Sequence, residues 1–127
     1  MTRARLATVE DLPDVMNVLD GAVLSVDASD VRERIDDDSV LVAVSTDGTV
    51  LGALVLASDH ITAVAVRRRR RGQGIGTALL EAAADRRGRL TATFDADLRP
   101  FYEGVGFDIE PATATGRLRG NLSREDT

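Results

Sequence analysis

Between Val64 and Leu80 the chain changes character twice with no spacer, and this stretch constrains the fold more than any other. Val64-Ala65-Val66 closes an apolar, β-branched run. Arg67 to Arg71 are five consecutive arginines. Gly72-Gln73-Gly74-Ile75-Gly76 alternates glycine with larger residues, and Thr77-Ala78-Leu79-Leu80 opens a helical pattern. The order is strand, tight turn, helix. The first N–H groups of such a helix lack intrahelical partners, point outward together and carry the positive end of the helix dipole. A phosphate or pyrophosphate fits there. Glycines at 72, 74 and 76 allow close approach to the backbone, and Arg71 offers forked donors to phosphate oxygens. The dinucleotide pattern G-x-G-x-x-G is not met, because Thr77, Ala78 and Leu79 follow Gly76 without a glycine at the required offset. The absence of G-K-[ST] excludes a P-loop.

The flanking chain supplies the rest of an α/β (α+β) pattern. Arg3 to Thr8 predicts a first strand. Thr8 and Asp11 resemble a capping box, and Leu12, Val15, Met16 and Leu19 recur at helical spacing, with Pro13 tolerated early in the helix. A short helix is expected from Asp30 to about Asp36, capped by Ser29 or Asp30, after a loop or weak helix over 21–28. Val40 to Ser45, Val50 to Ala57 and His60 to Val66 predict an antiparallel meander, with Asp47-Gly48 as the first hairpin turn and Gly52 marking a bulge. A helix follows from Gly74 to about Arg87, with Gly88 as its C′ residue. Leu90 to Phe94 is a strand, and a short helix through Arg99 to Glu103 carries Pro100 in its first turn and ends at Gly104 and Gly106. Phe107 to Pro111 and Arg117 to Leu122 predict a last hairpin, with a frayed tail from Ser123.

A second motif, Phe101-Tyr102-Glu103-Gly104-Val105-Gly106-Phe107, lies one helix and one strand after the glycine turn. Arg71-Gly72-Gln73-Gly74-Ile75-Gly76 resembles the R/Q-x-x-G-x-G/A signature of the GNAT superfamily of acyl-CoA-dependent N-acyltransferases. The second motif resembles that family's F-Y-x-x-x-G-F element. The two stand in the family's order, and the resemblance runs from about Arg3 to Phe107. It implies one GNAT domain over residues 1–127, with a mixed, mostly antiparallel sheet of six to seven strands flanked by three to four helices.

The same resemblance implies acetyl-CoA as cosubstrate and N-acetyl transfer to a primary amine of a small molecule or peptide. Val64, Ala65 and Val66 would meet the pantetheine arm. Arg71, Gly72, Gln73, Gly74, Ile75, Gly76 and Thr77 would hold the pyrophosphate. A backbone N–H of the strand ending at Val66 would polarise the thioester carbonyl, in a slot made by splaying from the strand starting at Leu90. Tyr102 takes the place of the family's general acid. His60, six residues before Val66, has the offset of a general base, and an ordinary histidine titrates near ~6.5. Asp95 or Asp97 stands where an asparagine commonly contacts CoA, and aspartate cannot donate as asparagine does. Homodimers are frequent in the family. The resemblance also covers CoA-binding modules that regulate a partner without chemistry.

Composition narrows the classes further. All 16 basic residues are arginine and the net charge is −5, so one basic patch sits on an acidic chain. That suits one small polyanion better than nucleic acid, which is held by many summed phosphate contacts. With no cysteine and one histidine, no metal site is expected. The chain has neither a run of ~18 apolar residues nor a signal-peptide core, so no membrane partner and a cytoplasmic location are expected.

Overall fold

A computed structural model describes residues 2–21, 27–112 and 116–123. Among these, seven strands form one sheet in the order β1-β2-β3-β4-β5-β7-β6: β1 (Arg3–Leu6), β2 (Val40–Val44), β3 (Val50–Ala57), β4 (His60–Val66), β5 (Arg89–Asp95), β6 (Asp108–Pro111) and β7 (Arg117–Ser123). β4 and β5 are parallel neighbours and every other adjacent pair is antiparallel. Helices α1 (Leu12–Gly21) and α2 (Ala28–Asp36) cover one face, and α3 (Ile75–Arg87) and α4 (Arg99–Val105) the other.

All five residues of β2 are buried, which is why its sequence is a continuous apolar run. Val15, Leu19, Val31 and Ile35 pack on Val42, Val44, Ala53 and Val55 on one side. Leu79, Leu80, Ala83 and Tyr102 pack on Leu41, Leu54, Leu90 and Phe94 on the other.

Several boundaries differ from the sequence expectation. β1 stops at Leu6, because Thr8 caps a 3-10 turn (Val9–Asp11) that leads into α1. α2 starts at Ala28, since Asp27 rather than Ser29 or Asp30 accepts the Ser29 N–H, at 3.2 Å. α4 runs through Gly104 to Val105 and ends at Gly106, whose φ is +111°. Ser123 pairs with Arg89 inside β7, so the strand outruns the expected start of the tail. The predicted loop at 22–26 and the tail at 124–127 lie outside the described residues.

The bulge expected at Gly52 falls beside it: Ala43 pairs with Gly52 and Val44 with Val50, leaving Leu51 as the extra residue. Gly52 answers a different demand. A Cβ there would lie 2.9 Å from the Ala65 carbonyl oxygen and 3.2 Å from both Ile75 Cγ2 and Leu79 Cδ1, so α3 can rest on the sheet only over glycine. Gly52→Ala is expected to cost about 1–3 kcal/mol through overpacking, read as a lower urea midpoint at unchanged slope.

At the start of α1, Arg5 donates two hydrogen bonds to the carboxylate of Asp11, at 2.8 and 3.1 Å, and the Thr8 N–H donates a third at 2.8 Å. The Arg5 hydrogen bonds hold the Asp11 carboxyl below its ordinary value despite its burial. A depressed carboxylate contributes stability above its unfolded pKa and loses it as pH falls through the folded one. Asp11→Asn is therefore expected to cost about 2 kcal/mol near neutral pH. The difference from wild type should shrink below about pH 4, as urea midpoints across pH will show.

Candidate active site

The site begins where the sheet comes apart. β4 and β5 share a single register pair, His60 with Thr91. The Thr91 N–H donates to the Asp59 carbonyl at 2.9 Å, and His60 Nδ1 lies 2.8 Å from Thr91 Oγ1. Beyond that pair the strands diverge. Thr62 is an extra residue in β4, because Val55 pairs with Ala63 while Leu56 pairs with Ile61. A bulge of this kind bends its strand and increases local twist, and it sits where β4 leaves β5.

The backbone of β4 beyond the bulge has a definite phase. The Arg67 N–H donates to the Leu51 carbonyl at 2.8 Å, so Arg67 faces β3. Alternation along the ladder turns Ala65 toward β3 as well, and Val64 and Val66 toward the opening. Arg71 Nε donates to the Val66 carbonyl at 3.3 Å. The Val64 and Val66 N–H groups therefore face the slot, where a carbonyl oxygen could accept from them.

A cleft of about 530 Å³ fills the divergence and ends on the glycine turn. Val64, Ala65 and Val66 form one wall. Arg70, Arg71, Gly72, Gly74, Ile75, Gly76 and Thr77 form the end, and Leu98, Phe101 and Tyr102 the opposite wall. Gly72 and Gly74 have φ of +81° and +80°, and a Cβ at either would meet nothing within 4 Å. Their role is backbone conformation next to open space. Gly76 is different: a Cβ there would lie 3.0 Å from the Phe101 ring, so this glycine lets α4 close on the first turn of α3. Since Ala78 N–H to Gly74 carbonyl is the first bond of α3 (3.0 Å), the N–H groups just before Ala78 remain free to face an anion.

Three of the five arginines bear directly on the turn or the cleft. Arg67 ties the turn to β3 through its backbone N–H and through Nε, which donates to the Val50 carbonyl at 2.7 Å. Arg71 ties it to β4. Arg70 and Arg71 line the cleft.

Tyr102 is 4% exposed, stacked on Phe94 (ring centroids 4.0 Å apart, 15° between planes) and edge-on to Phe101 and Phe107 at 5.0 and 5.2 Å. Burial raises its pKa, so the phenol stays protonated at neutral pH. Among the described residues its hydroxyl has no hydrogen-bond partner, yet no buried polar side-chain atom is left unpaired. The hydroxyl is therefore the accessible end of an otherwise enclosed ring. Tyr102 lines both the cleft and a second cavity of about 190 Å³ that continues the slot between β4 and β5.

Two of the sequence candidates stand apart. Gln73 is exposed and turned aside, its Oε1 3.5 Å from Arg70. His60 lines neither cavity and is bound to Thr91 at the closed end of the slot. Arg70, Leu98 and Phe101 were not anticipated as lining residues. Leu98 carries a recognisable signal, being a large apolar side chain left 45% exposed. Among the described residues no cluster of His, Cys, Asp or Glu could hold a metal ion, and no helix is long and apolar enough to cross a membrane.

The fold and this splayed site define an acyltransferase architecture, and the family comparison agrees. The chain belongs to the GNAT acetyltransferase family: the model for the acetyltransferase (GNAT) domain matches residues 18–114, more than half of it. No curated protein matches the chain. Among solved structures it is similar to a GNAT-family acetyltransferase from Bacillus cereus, at 14% identity over 99% of both chains with a TM-score of 0.82. The ribosomal-protein-S18-alanine N-acetyltransferase from Escherichia coli is similar at 16% identity over 100% of this chain and 96% of that one, with a TM-score of 0.78. N-acetylglutamate synthase from Neisseria gonorrhoeae, complexed with coenzyme A and N-acetyl-glutamate, is similar at 16% identity, covering 99% of this chain and 36% of that one, with a TM-score of 0.79. At these identities the structural likeness speaks for the fold.

Proposed function

We propose that residues 1–127 act as one N-acetyltransferase domain that moves the acetyl group of acetyl-CoA to a primary amine by direct attack on the thioester. The observation that carries this reading is one continuous slot. It begins at a glycine turn with free N–H groups, passes the slot-facing N–H groups of Val64 and Val66, and reaches the Tyr102 hydroxyl.

The turn and the start of α3 would take the pyrophosphate, with Arg70 and Arg71 adding charge. The Val64 and Val66 N–H groups would hold the thioester carbonyl and the negative charge that develops on its oxygen. The amine nitrogen forms a bond to the carbonyl carbon as the carbon–sulfur bond breaks. Tyr102 gives its proton to the departing thiolate, and the proton released by the nitrogen restores the phenol through water. The products are the N-acetyl amine and free CoA thiol, with protons balanced. His60 is left out of this scheme, because it lines neither arm of the slot and is held by Thr91.

The test is release of free thiol from acetyl-CoA across a panel of amines, amino acids and short peptides. Acceptor-dependent release is expected. Protection of the fold by acetyl-CoA with no release across the panel would instead favour the CoA-binding regulatory module.

A further inference from the structure

The second cavity carries information about the acceptor, and the inference rests on the transferase reading above. Its walls come from β4 at Thr62 and Val64, from β5 at Thr93 and Asp95, and from β7 at Arg117. It shares Val64, Leu98 and Tyr102 with the cofactor cleft, so the two are arms of one slot meeting at the tyrosine. The first arm ends on the anion-binding turn, which leaves the second for the acceptor.

Asp95 and Arg117 are the charged residues of this arm, and they are cross-strand partners in the β5–β7 ladder. Arg117 Nη1 donates to Asp95 Oδ1 at 3.1 Å and Nη2 to the Thr93 carbonyl at 3.3 Å. These two bonds fix the guanidinium from the β5 side. A guanidinium has five N–H donors, so three remain uncommitted on a group whose orientation is already set. Asp95 is in the opposite position, with its charge matched by Arg117. The arm therefore holds a guanidinium with uncommitted donors, in the planar geometry that binds carboxylates in pairs.

We propose that the acceptor is an amine that also bears a carboxylate, such as a free amino acid, and that Arg117 selects it by binding that carboxylate. Asp95 is the positioning residue that holds the Arg117 fork. A cavity of about 190 Å³ suits a short acceptor of this kind.

The test compares α-amino acids with their amides and their decarboxylated amines, by thiol release and, on protein saturated with CoA, by isothermal titration. The acids are expected to exceed their amides in kcat/KM and in affinity by at least roughly tenfold, the worth of one charge-assisted pair. Arg117→Met should erase that preference while leaving protection by acetyl-CoA unchanged, because Arg117 lines the second arm and not the cofactor cleft. Arg117→Lys, which keeps the charge but not the fork, should retain only part of it. Equal treatment of acids and amides in both measurements overturns the proposal, as does a preference that survives Arg117→Met. A preference for the decarboxylated amines, lost in Asp95→Asn, overturns it in favour of a cation site. Failure of the transferase reading looks different: acids still bind to the arm in an Arg117-dependent way, but no thiol is released with any acceptor.

Discussion

Tyr102→Phe is expected to lower kcat by roughly 10²- to 10⁴-fold, the range that a positioned general acid contributes. The KM for acetyl-CoA should stay within about threefold, since only an interaction made in the transition state is removed. The substitution is a clean one. The ring stacks on Phe94 and meets Phe101 and Phe107 edge-on, and all three contacts survive in phenylalanine. Because the hydroxyl has no hydrogen-bond partner among the described residues, its loss orphans no buried group, and the thermal midpoint should move little. Steady-state kinetics with calorimetry on the same preparation separates the two roles. A large fall in kcat at constant stability marks an acid, whereas a fall in stability with kcat retained marks a packing residue. His60→Ala serves as the control and is expected to keep kcat within about threefold, because Thr91 holds that ring at the closed end of the slot.

Gly74→Val carries the second large effect. Gly74 caps α3 with φ of +80°, a conformation that a β-branched residue adopts only under strain of about 1–3 kcal/mol. The turn is expected to relieve that strain by rotating its N–H groups away from the anion. Acetyl-CoA affinity should then fall by roughly tenfold to a hundredfold, at 1.4 kcal/mol per factor of ten. Titration of acetyl-CoA into wild type and variant measures this directly. Retained affinity in a folded variant would mean that the turn does not hold the pyrophosphate.

The parts of the site that were legible in the sequence are those whose chemistry is local. A tight glycine turn over Gly72 to Gly76, followed by a helix start, is specified by adjacent residues and is legible together with the strand before it, whereas the left-handed φ at Gly72 and Gly74 is seen only in the structure. Tyr102 was readable as a member of a short motif on one helix. In sequence Gly76 reads like the other two glycines, but its reason lies in Phe101, 25 positions along the chain, whose ring occupies the space of a Cβ. Gly52 likewise looked like a bulge, and the demand on it comes from Ile75 and Leu79 across the sheet.

His60 shows how a single inserted residue defeats counting. Six positions from Val66 back to His60 put both on one face of an unbroken strand. The extra residue at Thr62 breaks the alternation. Val66 and Ile61 both pack in the cluster under α3, so His60, adjacent to Ile61, faces the other side. Nothing in the local sequence marks Thr62 as the bulge, because its cause is the pairing of β4 with β3. The Asp95–Arg117 pair was hidden for a similar reason. It exists only because β7 inserts between β5 and β6, an order that a hairpin reading of the last two strands does not reveal.

The most direct test of the account is a crystal structure of the protein with acetyl-CoA. The account predicts the pyrophosphate on the turn at Gly72 to Gly76, the thioester carbonyl oxygen within hydrogen-bonding distance of the Val64 or Val66 N–H, and the sulfur beside the Tyr102 hydroxyl. A thioester lying outside the opening between β4 and β5, or a sulfur out of reach of Tyr102, would contradict it.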